Sequence, residues 1–139
     1  MLRRLIPDVV NGQKLVKLPA AATVREAASA MAKHNVRSVL VVDRHRLLGI
    51  FTGTDLVQRV VAVGLDPNTT PLSRVMTKNP DTACPDDCAI DALSRMHGRR
   101  YRHLPVVDHG KLVGILSRRD FLAYEVDEID HQEQIWERL

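Results

Sequence analysis

The chain has 139 residues, of which 45% are hydrophobic and 27% charged, a length and composition typical of one globular domain or of two small ones that share a core. No apolar run approaches the roughly 18 residues that a membrane span needs, and a proline and an aspartate interrupt the N-terminus before the apolar core of a signal peptide develops. We therefore expect a cytoplasmic protein that does not enter a membrane. The formal net charge of +3 is uneven, because residues 125–139 hold six acids and one arginine, a net of −5, which leaves +8 for the rest.

A basic body of this kind fits an anionic ligand or a nucleic acid, and it equally fits a solvated surface. The acidic end of the chain makes nucleic acid the less attractive partner. The two cysteines, Cys84 and Cys88, are too few for a disulfide scaffold and lack the further ligands of a zinc site. We expect them to be small residues near a helix start, and we expect no metal site.

The first half of the chain alternates the apolar patterns of strands and helices. After a lead-in segment and a short strand near 15–18, Thr23 precedes apolar residues at helical spacing that end near 34–35. A strand over 39–42, a polar turn over 43–46 and a strand over 47–51 predict a hairpin. The stretch 64–73, which contains two prolines and a glycine, is a linker by composition. Before it lies a predicted helix over 53–63, whose inward-facing residues we expect to be Leu56, Val57, Val60 and Val61.

The same order of elements then returns. We predict a short strand near 81–84, a helix over 88–98, a hairpin with strands over 103–107 and 112–116, and a helix that begins near Arg118. Residues 27–57 align with 92–122 at a constant offset of 65, with eleven identical pairs among 31. The chain is therefore two copies of a β-α-β-β-α unit, a mixed α/β fold. One copy alone would leave an apolar sheet face uncovered, so we expect the copies to pack about a pseudo-twofold axis.

In each copy the second strand of the hairpin ends in a hydroxyl residue that is followed three positions later by an aspartate. The pairs are Thr52 with Asp55 and Ser117 with Asp120. Each pair fits a helix cap, worth about 1 kcal/mol. Each also fits a ligand site, because a helix N-terminus attracts phosphate and an aspartate can accept hydrogen bonds from a ribose diol.

The surroundings of the two pairs favour the ligand interpretation. Two residue types recur at equivalent positions of both copies: Gly49 and Gly114 on the second strands, and Arg37 and Arg102 before the first strands. The glycines let a flat ligand approach the strand backbone. Arg118 and Arg119 lie inside the second motif, and the run 99–103 surrounds Tyr101 with three arginines and a histidine. That run fits a phosphate clamp with a stacking ring, or else a solvated loop.

The doubled pattern resembles a tandem pair of CBS domains, the Bateman module. The resemblance is carried by His103-Leu104-Pro105-Val106-Val107-Asp108 and Gly114-Ile115-Leu116-Ser117-Arg118-Arg119-Asp120, and it covers the chain from about Ile6 to Tyr124. On this basis we assign 1–63 to a lead-in segment and the first repeat, 64–73 to a linker, 74–126 to the second repeat and 127–139 to an acidic C-terminal helix.

The resemblance implies a stand-alone regulatory module that binds an adenosyl ligand (AMP, ADP, ATP, NAD or S-adenosylmethionine) in clefts between the two repeats. Such a module would sense energy or metabolic state, signal to a downstream protein and form a homodimer. By the same resemblance, Asp55 and Asp120 would hold ribose hydroxyls. The residues facing phosphate would be Arg37, Thr52, Thr54, Arg102, His103, Ser117 and Arg119. Those bordering the adenine would be Val36, Ile50, Tyr101 and Ile115, and Lys17 and Thr82 are further candidates.

The two copies differ where a ligand would bind. Leu40 stands where the second copy has Pro105, and residues 53–54 are Gly-Thr where 118–119 are Arg-Arg. We therefore expect the second site to favour more phosphate charge and to be the better occupied one. No Ser/His/Asp order, metal-spaced cluster or Walker glycine loop indicates an enzyme or a catalytic cofactor. The alternatives are a nucleic-acid-binding protein that uses the basic surface and a purely structural adaptor.

The C-terminal residues carry one apolar stripe among acids. Ile129, Ile135, Trp136 and Leu139 lie roughly on one helical face. Because an exposed tryptophan is unusual, we expect this face to pack against the module or against a partner subunit.

Overall fold

The computed structural model describes residues 2–99 and 101–137, with side chains to residue 132. These residues form helices and strands in two compact units. The first-repeat unit contains residues 14–80 and 110–112. The second-repeat unit contains the residues before Lys14, those from Asp81 to His109 and those from Val113 onward. The predicted mixed α/β class is confirmed.

A four-stranded sheet organises the first-repeat unit. Its strands are β1 (Lys17–Leu18), β2 (Ser38–Asp43), β3 (Arg46–Thr52) and β4 (Thr77–Lys78), in that spatial order. β1 runs parallel to β2, whereas β2 with β3 and β3 with β4 are antiparallel. Helix α1 (Val24–His34) makes the crossover that the parallel pair β1–β2 requires.

Helix α1 begins in the way its sequence predicts. The Thr23 hydroxyl accepts the Glu26 N–H at 3.2 Å, and the Glu26 carboxylate accepts the Thr23 N–H at 2.9 Å, which together form a capping box. The apolar face of α1 then packs into one core cluster with the inner residues of β2 and β3. The central members of this cluster are Val24, Ala27, Met31, Val39, Val41 and Phe51.

The helix that follows β3 turns only one of its two apolar stripes inward. It consists of α2 (Gly53–Asp55) and a π-helical segment, Leu56–Val61. Val60 is fully buried and Leu56 partly so, but Val57 is 60% and Val61 68% exposed. The prediction that all four face the core is therefore wrong for Val57 and Val61. Successive helical residues point about 100° apart, so the stripe 56/60 and the stripe 57/61 cannot both face the sheet.

The second-repeat unit repeats this plan after α3 (Leu72–Val75), which follows the linker in the first-repeat unit. Its helix α4 (Ala89–Gly98) precedes a hairpin of β5 (His103–Asp108) and β6 (Lys111–Ser117), and α5 (Ala123–Glu137) ends the described chain. Most of the hairpin belongs to this unit. The core is formed by Ala92, Leu93, Met96, Leu104, Val106 and Leu116.

Two elements of this unit differ from the prediction. The helix expected near Arg118 is a 3₁₀ turn, Arg118–Asp120, and α5 begins only at Ala123. The reason is a second start signal, since the Glu125 carboxylate accepts the Leu122 N–H at 2.8 Å and caps α5 there. The strand expected near 81–84 is reduced to one bridge between Ala83 and Val106, because Pro85 has no N–H to extend the pairing.

The lead-in segments of the two repeats are exchanged between the units. Residues 77–78, from the start of the second repeat, form β4 on the first-repeat sheet. The N-terminal segment belongs to the second-repeat unit, where the Leu5 N–H donates to the Asp87 carbonyl at 3.0 Å. Gln13 extends this attachment, since its carboxamide bonds the N–H and the C=O of Ile115 on β6 at 2.9 and 3.0 Å. Each unit thus joins the helix and hairpin of one repeat to the lead-in of the other.

The C-terminal helix α5 contributes to the second-repeat core through Ile129, which is 5% exposed. The side chains of Ile135, Trp136 and Leu139, expected on the same face, lie outside the described residues. Among the helices that are described, none has both the length and the apolar character to cross a membrane.

Candidate functional site

Each repeat contains a turn in which a strand ends in a hydroxyl residue and an aspartate folds back on it. We call residues 52–55 the first corner and residues 117–120 the second corner. Thr52 ends β3 opposite Ser38, the first residue of β2. The Gly53 N–H donates to the Arg37 carbonyl at 3.0 Å. This backbone bond places Arg37 beside the first corner.

The first corner is held closed by its own aspartate. Asp55 Oδ2 accepts hydrogen bonds from the Thr52 N–H at 2.9 Å and from the Thr52 hydroxyl at 3.1 Å. The Asp55 N–H lies 3.2 Å from the same hydroxyl oxygen. Asp55 is 9% exposed. The buried carboxylate is therefore oriented by the turn itself.

The second corner repeats the arrangement with serine. Asp120 Oδ2 accepts the Ser117 N–H at 2.7 Å and the Ser117 hydroxyl at 3.2 Å. Because β5 and β6 are joined by a two-residue turn, they form an antiparallel hairpin, and the start of β5 lies at the same end as the second corner. Arg102 and His103 lie at that start.

The predicted capping bonds are thus present at both corners. At the first corner they cap α2, where such a cap contributes about 1 kcal/mol, and at the second they close a 3₁₀ turn. Capping leaves room for a second role, because each carboxylate engages the turn through one oxygen, Oδ2. The helix-dipole argument applies to the first corner only. At the second corner the chain makes a single 3₁₀ turn and then extends, so no helix starts there.

Arginines that the sequence patterns did not single out lie against both corners. Arg59 Nε is 3.5 Å from Asp55 Oδ1, and Arg3 Nη2 donates to the Asp120 carbonyl at 3.4 Å. Arg3 also forms an ion pair with buried Glu125 at 2.6 Å. The Arg59 contact has a recognisable sequence signal, since an acid and a base four apart on a helix are neighbours. The Arg3 contacts have none, because they join residues more than a hundred positions apart.

Two residues of the basic run 99–103, Arg99 and Tyr101, are engaged inside their own unit. Asp81 accepts a hydrogen bond from the Tyr101 hydroxyl at 3.1 Å and another from Arg99. The bonds from Arg99 and Tyr101 hold the pKa of Asp81 below its usual value, and the same carboxylate raises the pKa of Arg99. Arg99 is therefore paired with an acid. Tyr101 keeps 37% of its surface exposed, and Arg100 lies outside the described residues.

The other predicted ligand residues lie on the elements that carry the corners. In the first-repeat unit, Ile50 is buried on β3, Val36 is half-buried, and Arg37 and Thr54 are exposed. In the second-repeat unit, His103 and Ile115 are half-buried, and Arg102 and Arg119 are exposed. The further candidates are exposed Lys17 on β1 and half-buried Thr82, whose carbonyl accepts a bond from Arg95 at 2.9 Å.

A pocket of about 150 Å³ lies elsewhere in the second-repeat unit. It is lined by Ile6, Val10, Asn11, Gly12, Gln13 and Val113. None of the predicted ligand residues lines it, so it does not define the candidate site. Among the described residues, no three histidine, cysteine, aspartate or glutamate side chains are grouped so that they could hold a metal ion.

The chain belongs to the CBS domain family, since the model of that family matches residues 3–62 and 72–127. The resemblance inferred from the sequence is thus confirmed, and the chain is a tandem pair of CBS domains. Both corners lie within the matched segments.

Known proteins show the same family over most of this chain. The CBS domain-containing protein CBSCBSPB1 of Arabidopsis thaliana is 38% identical over 105 residues, which are 75% of this chain and 19% of the plant protein. The chain therefore spans about a fifth of the length of that curated relative. The CBS domain-containing protein YhcV of Bacillus subtilis is 39% identical over 104 residues, 75% of this chain and 74% of the relative.

A solved structure extends the similarity to three dimensions. It is the CBS domain protein PAE2072 from Pyrobaculum aerophilum complexed with AMP, which superimposes with a TM-score of 0.81 at 30% sequence identity. The similarity covers 93% of this chain and 99% of that chain. A protein with the same fold over almost its whole length therefore binds an adenine nucleotide.

Proposed function

We propose that this CBS pair is a regulatory module that binds an adenosyl ligand at its two corners, senses energy or metabolic state and signals to a downstream protein, without catalysis of its own. The observation that carries the proposal is the similarity to PAE2072, a CBS domain protein in complex with AMP, over 93% of this chain. The two hydroxyl–aspartate corners supply matching chemistry, with hydrogen-bond acceptors for a ribose and hydroxyl groups for a phosphate.

At the second corner the ligand would use Asp120 for the ribose. A carboxylate can accept two hydrogen bonds from a cis-diol, and Asp120 is already oriented by Ser117 through Oδ2. Exposed Arg102 and Arg119 would pair with phosphate. The ring of Tyr101, whose hydroxyl is fixed by an acid of the same unit, would border the adenine together with the backbone at Ile115.

At the first corner Asp55 would take the ribose and Arg37 the phosphate. Thr54 adds a hydroxyl donor, whereas the hydroxyl of Thr52 already donates to Asp55 Oδ2. The strand behind them presents buried Ile50. Besides Arg59, which contacts Asp55, this corner has Arg37, where the second has Arg102 and two further arginines within the motif. The second corner should therefore favour ligands with more phosphate charge.

Calorimetry and thermal shift with AMP, ADP, ATP, NAD and S-adenosylmethionine test the proposal. The informative variants are Asp120→Asn and Asp55→Asn, because asparagine still offers one oxygen to the cap but cannot accept from both ribose hydroxyls. Losing a hydrogen bond to a charged group weakens binding by about 10- to 100-fold. Asp127→Asn, an exposed acid on α5, is the matched control and should leave the affinity unchanged.

Two results would count against the proposal in different ways. A wild type that binds no member of the panel removes the sensing function. A wild type whose AMP affinity is the same as that of both asparagine variants removes the assignment of the corners and leaves the ligand class standing.

Nucleic-acid binding has less support in the structure. Arg99, the first residue of the basic run, is paired with Asp81 and is not available to a phosphate backbone without breaking that pair. Binding to RNA or DNA would be recognised by an affinity that falls steeply with salt, which the same preparation can be tested for.

We also propose that the module self-associates as a homodimer through apolar residues that its helices leave exposed. Val57 and Val61 lie one helical turn apart and are 60% and 68% exposed. Adjacent exposed apolar side chains of this kind form a patch through which a second copy can associate. Val61→Asp should shift the mass measured by light scattering toward the monomer, whereas the neighbouring Gln58→Asp should not. An unchanged mass for Val61→Asp removes this surface from the proposal.

A further inference from the structure

The aspartate of the first corner already has a cation against it. Arg59, one helical turn beyond Asp55, places Nε 3.5 Å from Asp55 Oδ1. That oxygen is the one that the turn leaves unused, since Thr52 bonds Oδ2. Both oxygens of the carboxylate therefore have a partner before any ligand arrives.

Arg59 is also anchored on its other side. Its Nη1 donates to the carbonyls of Val75 and Met76 at 3.2 and 3.3 Å, in the lead-in segment that continues into β4. About half of the Arg59 side chain is buried by these contacts. The guanidinium therefore spans from the lead-in to the corner, which favours the orientation that faces Asp55.

Among the described residues, no cation contacts the carboxylate of the second corner. The repeat offset of 65 aligns Tyr124 with Arg59 in the sequence. In the structure the backbone extends after the 3₁₀ turn and α5 begins only afterwards, so Tyr124 does not lie one helical turn beyond Asp120. Arg3, the arginine nearest to this corner by its hydrogen bonds, reaches the carbonyl of Asp120 and pairs with Glu125. In the part of the chain that the structure describes, Oδ1 of Asp120 has no hydrogen-bond or ion-pair partner.

A ribose diol binds a carboxylate most favourably through both oxygens, and Oδ1 has a partner at Asp55 but none among the described residues at Asp120. We infer that Arg59 is a specificity-determining residue, which makes the first corner the weaker ribose site. This inference rests on the proposed function, that both corners bind an adenosyl ligand. A ligand at the first corner must displace or share the Arg59 contact, whereas a ligand at the second corner meets an unoccupied oxygen.

The experiment isolates one corner at a time and makes the same substitution, Arg59→Met, in both cases. In an Asp120→Asn background, which leaves the first corner, Arg59→Met removes the cation and keeps the aliphatic stem. In an Asp55→Asn background, which leaves the second corner, Arg59→Met is the control. Calorimetry with AMP and with 2′-deoxy-AMP measures both the affinity and the discrimination for the ribose hydroxyl.

We expect Arg59→Met to strengthen AMP binding at the first corner by about three- to tenfold, the range for a partly exposed ion pair with charged hydrogen bonds. The preference for AMP over 2′-deoxy-AMP should rise with it. In the Asp55→Asn background, Arg59→Met should leave both quantities unchanged. A purely structural role of Arg59 would change the melting temperature and leave the ribose preference as it was. Gln58→Met, an exposed neighbour on the same helix, is the control for the substitution itself.

The outcomes distinguish a failure of the role of Arg59 from a failure of the proposed function on which it rests. AMP binding at the first corner that is unaffected or weakened by Arg59→Met overturns the role of Arg59 and leaves the proposed function in place. A wild type without AMP binding overturns both. Stronger AMP binding and a higher ribose preference at the first corner, with no change at the second, establish the inference.

Discussion

The ion pair between Arg3 and Glu125 attaches the N-terminal segment to the rest of the second-repeat unit. Glu125 Oε1 is 2.6 Å from Arg3 Nη2, and Oε2 is 3.3 Å from Arg3 Nε, so the contact is bidentate. The Glu125 side chain is 1% and that of Arg3 21% exposed. The same guanidinium donates to the carbonyls of Asp8 and Asp120 at 3.1 and 3.4 Å. Arg3 thereby fastens the lead-in to the second corner and to α5.

Replacing Arg3 by alanine leaves a buried carboxylate whose remaining donor among the described residues is the Leu122 N–H, at 2.8 Å. Removing one partner of a buried pair costs about 3–5 kcal/mol, and we expect about 3 kcal/mol because Arg3 is itself partly exposed. For a chain of 139 residues, an unfolding entropy of about 2 cal/mol/K per residue converts this loss into a fall of about 10 °C in Tm.

Urea denaturation of matched variants measures the loss. Arg4→Ala is the control, because the Arg4–Asp86 contact is 3.9 Å long between side chains that are 57% and 90% exposed, and such a pair contributes less than about 1 kcal/mol. The double variant Arg3→Met with Glu125→Leu should recover most of the stability, since apolar groups leave no charge unpaired. If Arg3→Ala unfolds at the same urea concentration as Arg4→Ala, the buried pair does not hold the segment.

Two further predictions concern the acid stability contributed by Glu125 and the packing at Gly49. Burial would raise the pKa of Glu125, but hydrogen bonds from Arg3 and from a backbone N–H outweigh it, so the pKa lies below the ordinary value of 4.5. The stability that Glu125 contributes is therefore complete above about pH 4.5 and is lost as the pH falls further, and a Tm profile of Glu125→Gln should lack that part of the acid decline. Gly49→Ala should destabilise by about 2 kcal/mol in urea, because its Cβ would lie 2.7 Å from Met76 Sδ and 2.7 Å from a backbone carbonyl. Gly114→Ala, the equivalent change, meets its nearest atoms at 3.5 Å and should be tolerated, so equal losses for both variants would contradict the packing argument.

The repeat in the sequence predicted the elements well because its information is local. Helix α1 begins at the predicted cap, Thr23, and both hairpins lie where the apolar runs and the polar turns between them place them. The failures arise where two local patterns compete. Residues 118–122 follow a hydroxyl–aspartate cap and precede a second capping acid, Glu125, and the later cap determines where α5 begins. Val57 and Val61 fit a helical apolar face as well as Leu56 and Val60 do, and only the packing of the sheet distinguishes them.

The exchange of lead-in segments could not be predicted from this one sequence. β4 pairs with the hairpin of the preceding repeat, and Gln13 bonds Ile115 across 102 positions. No periodicity or spacing in the sequence predicts which lead-in pairs with which hairpin, because either hairpin offers the same edge to either lead-in. The two corners, in contrast, were predictable as caps, since Thr52 with Asp55 and Ser117 with Asp120 make all their capping bonds within four residues.

The exchange explains how two repeats with nearly the same motif acquire different corners. Each unit has an arginine between a lead-in and the helix that follows its corner. In the first-repeat unit the cation is on the helix, as Arg59, and it points to the lead-in carbonyls while its Nε faces Asp55. In the second-repeat unit the arginine is on the lead-in, as Arg3, and it pairs with an acid on the helix, Glu125. The helix arginine, Arg59, therefore pairs with the carboxylate of the first corner. The lead-in arginine, Arg3, is neutralised by Glu125 and leaves the carboxylate of Asp120 available.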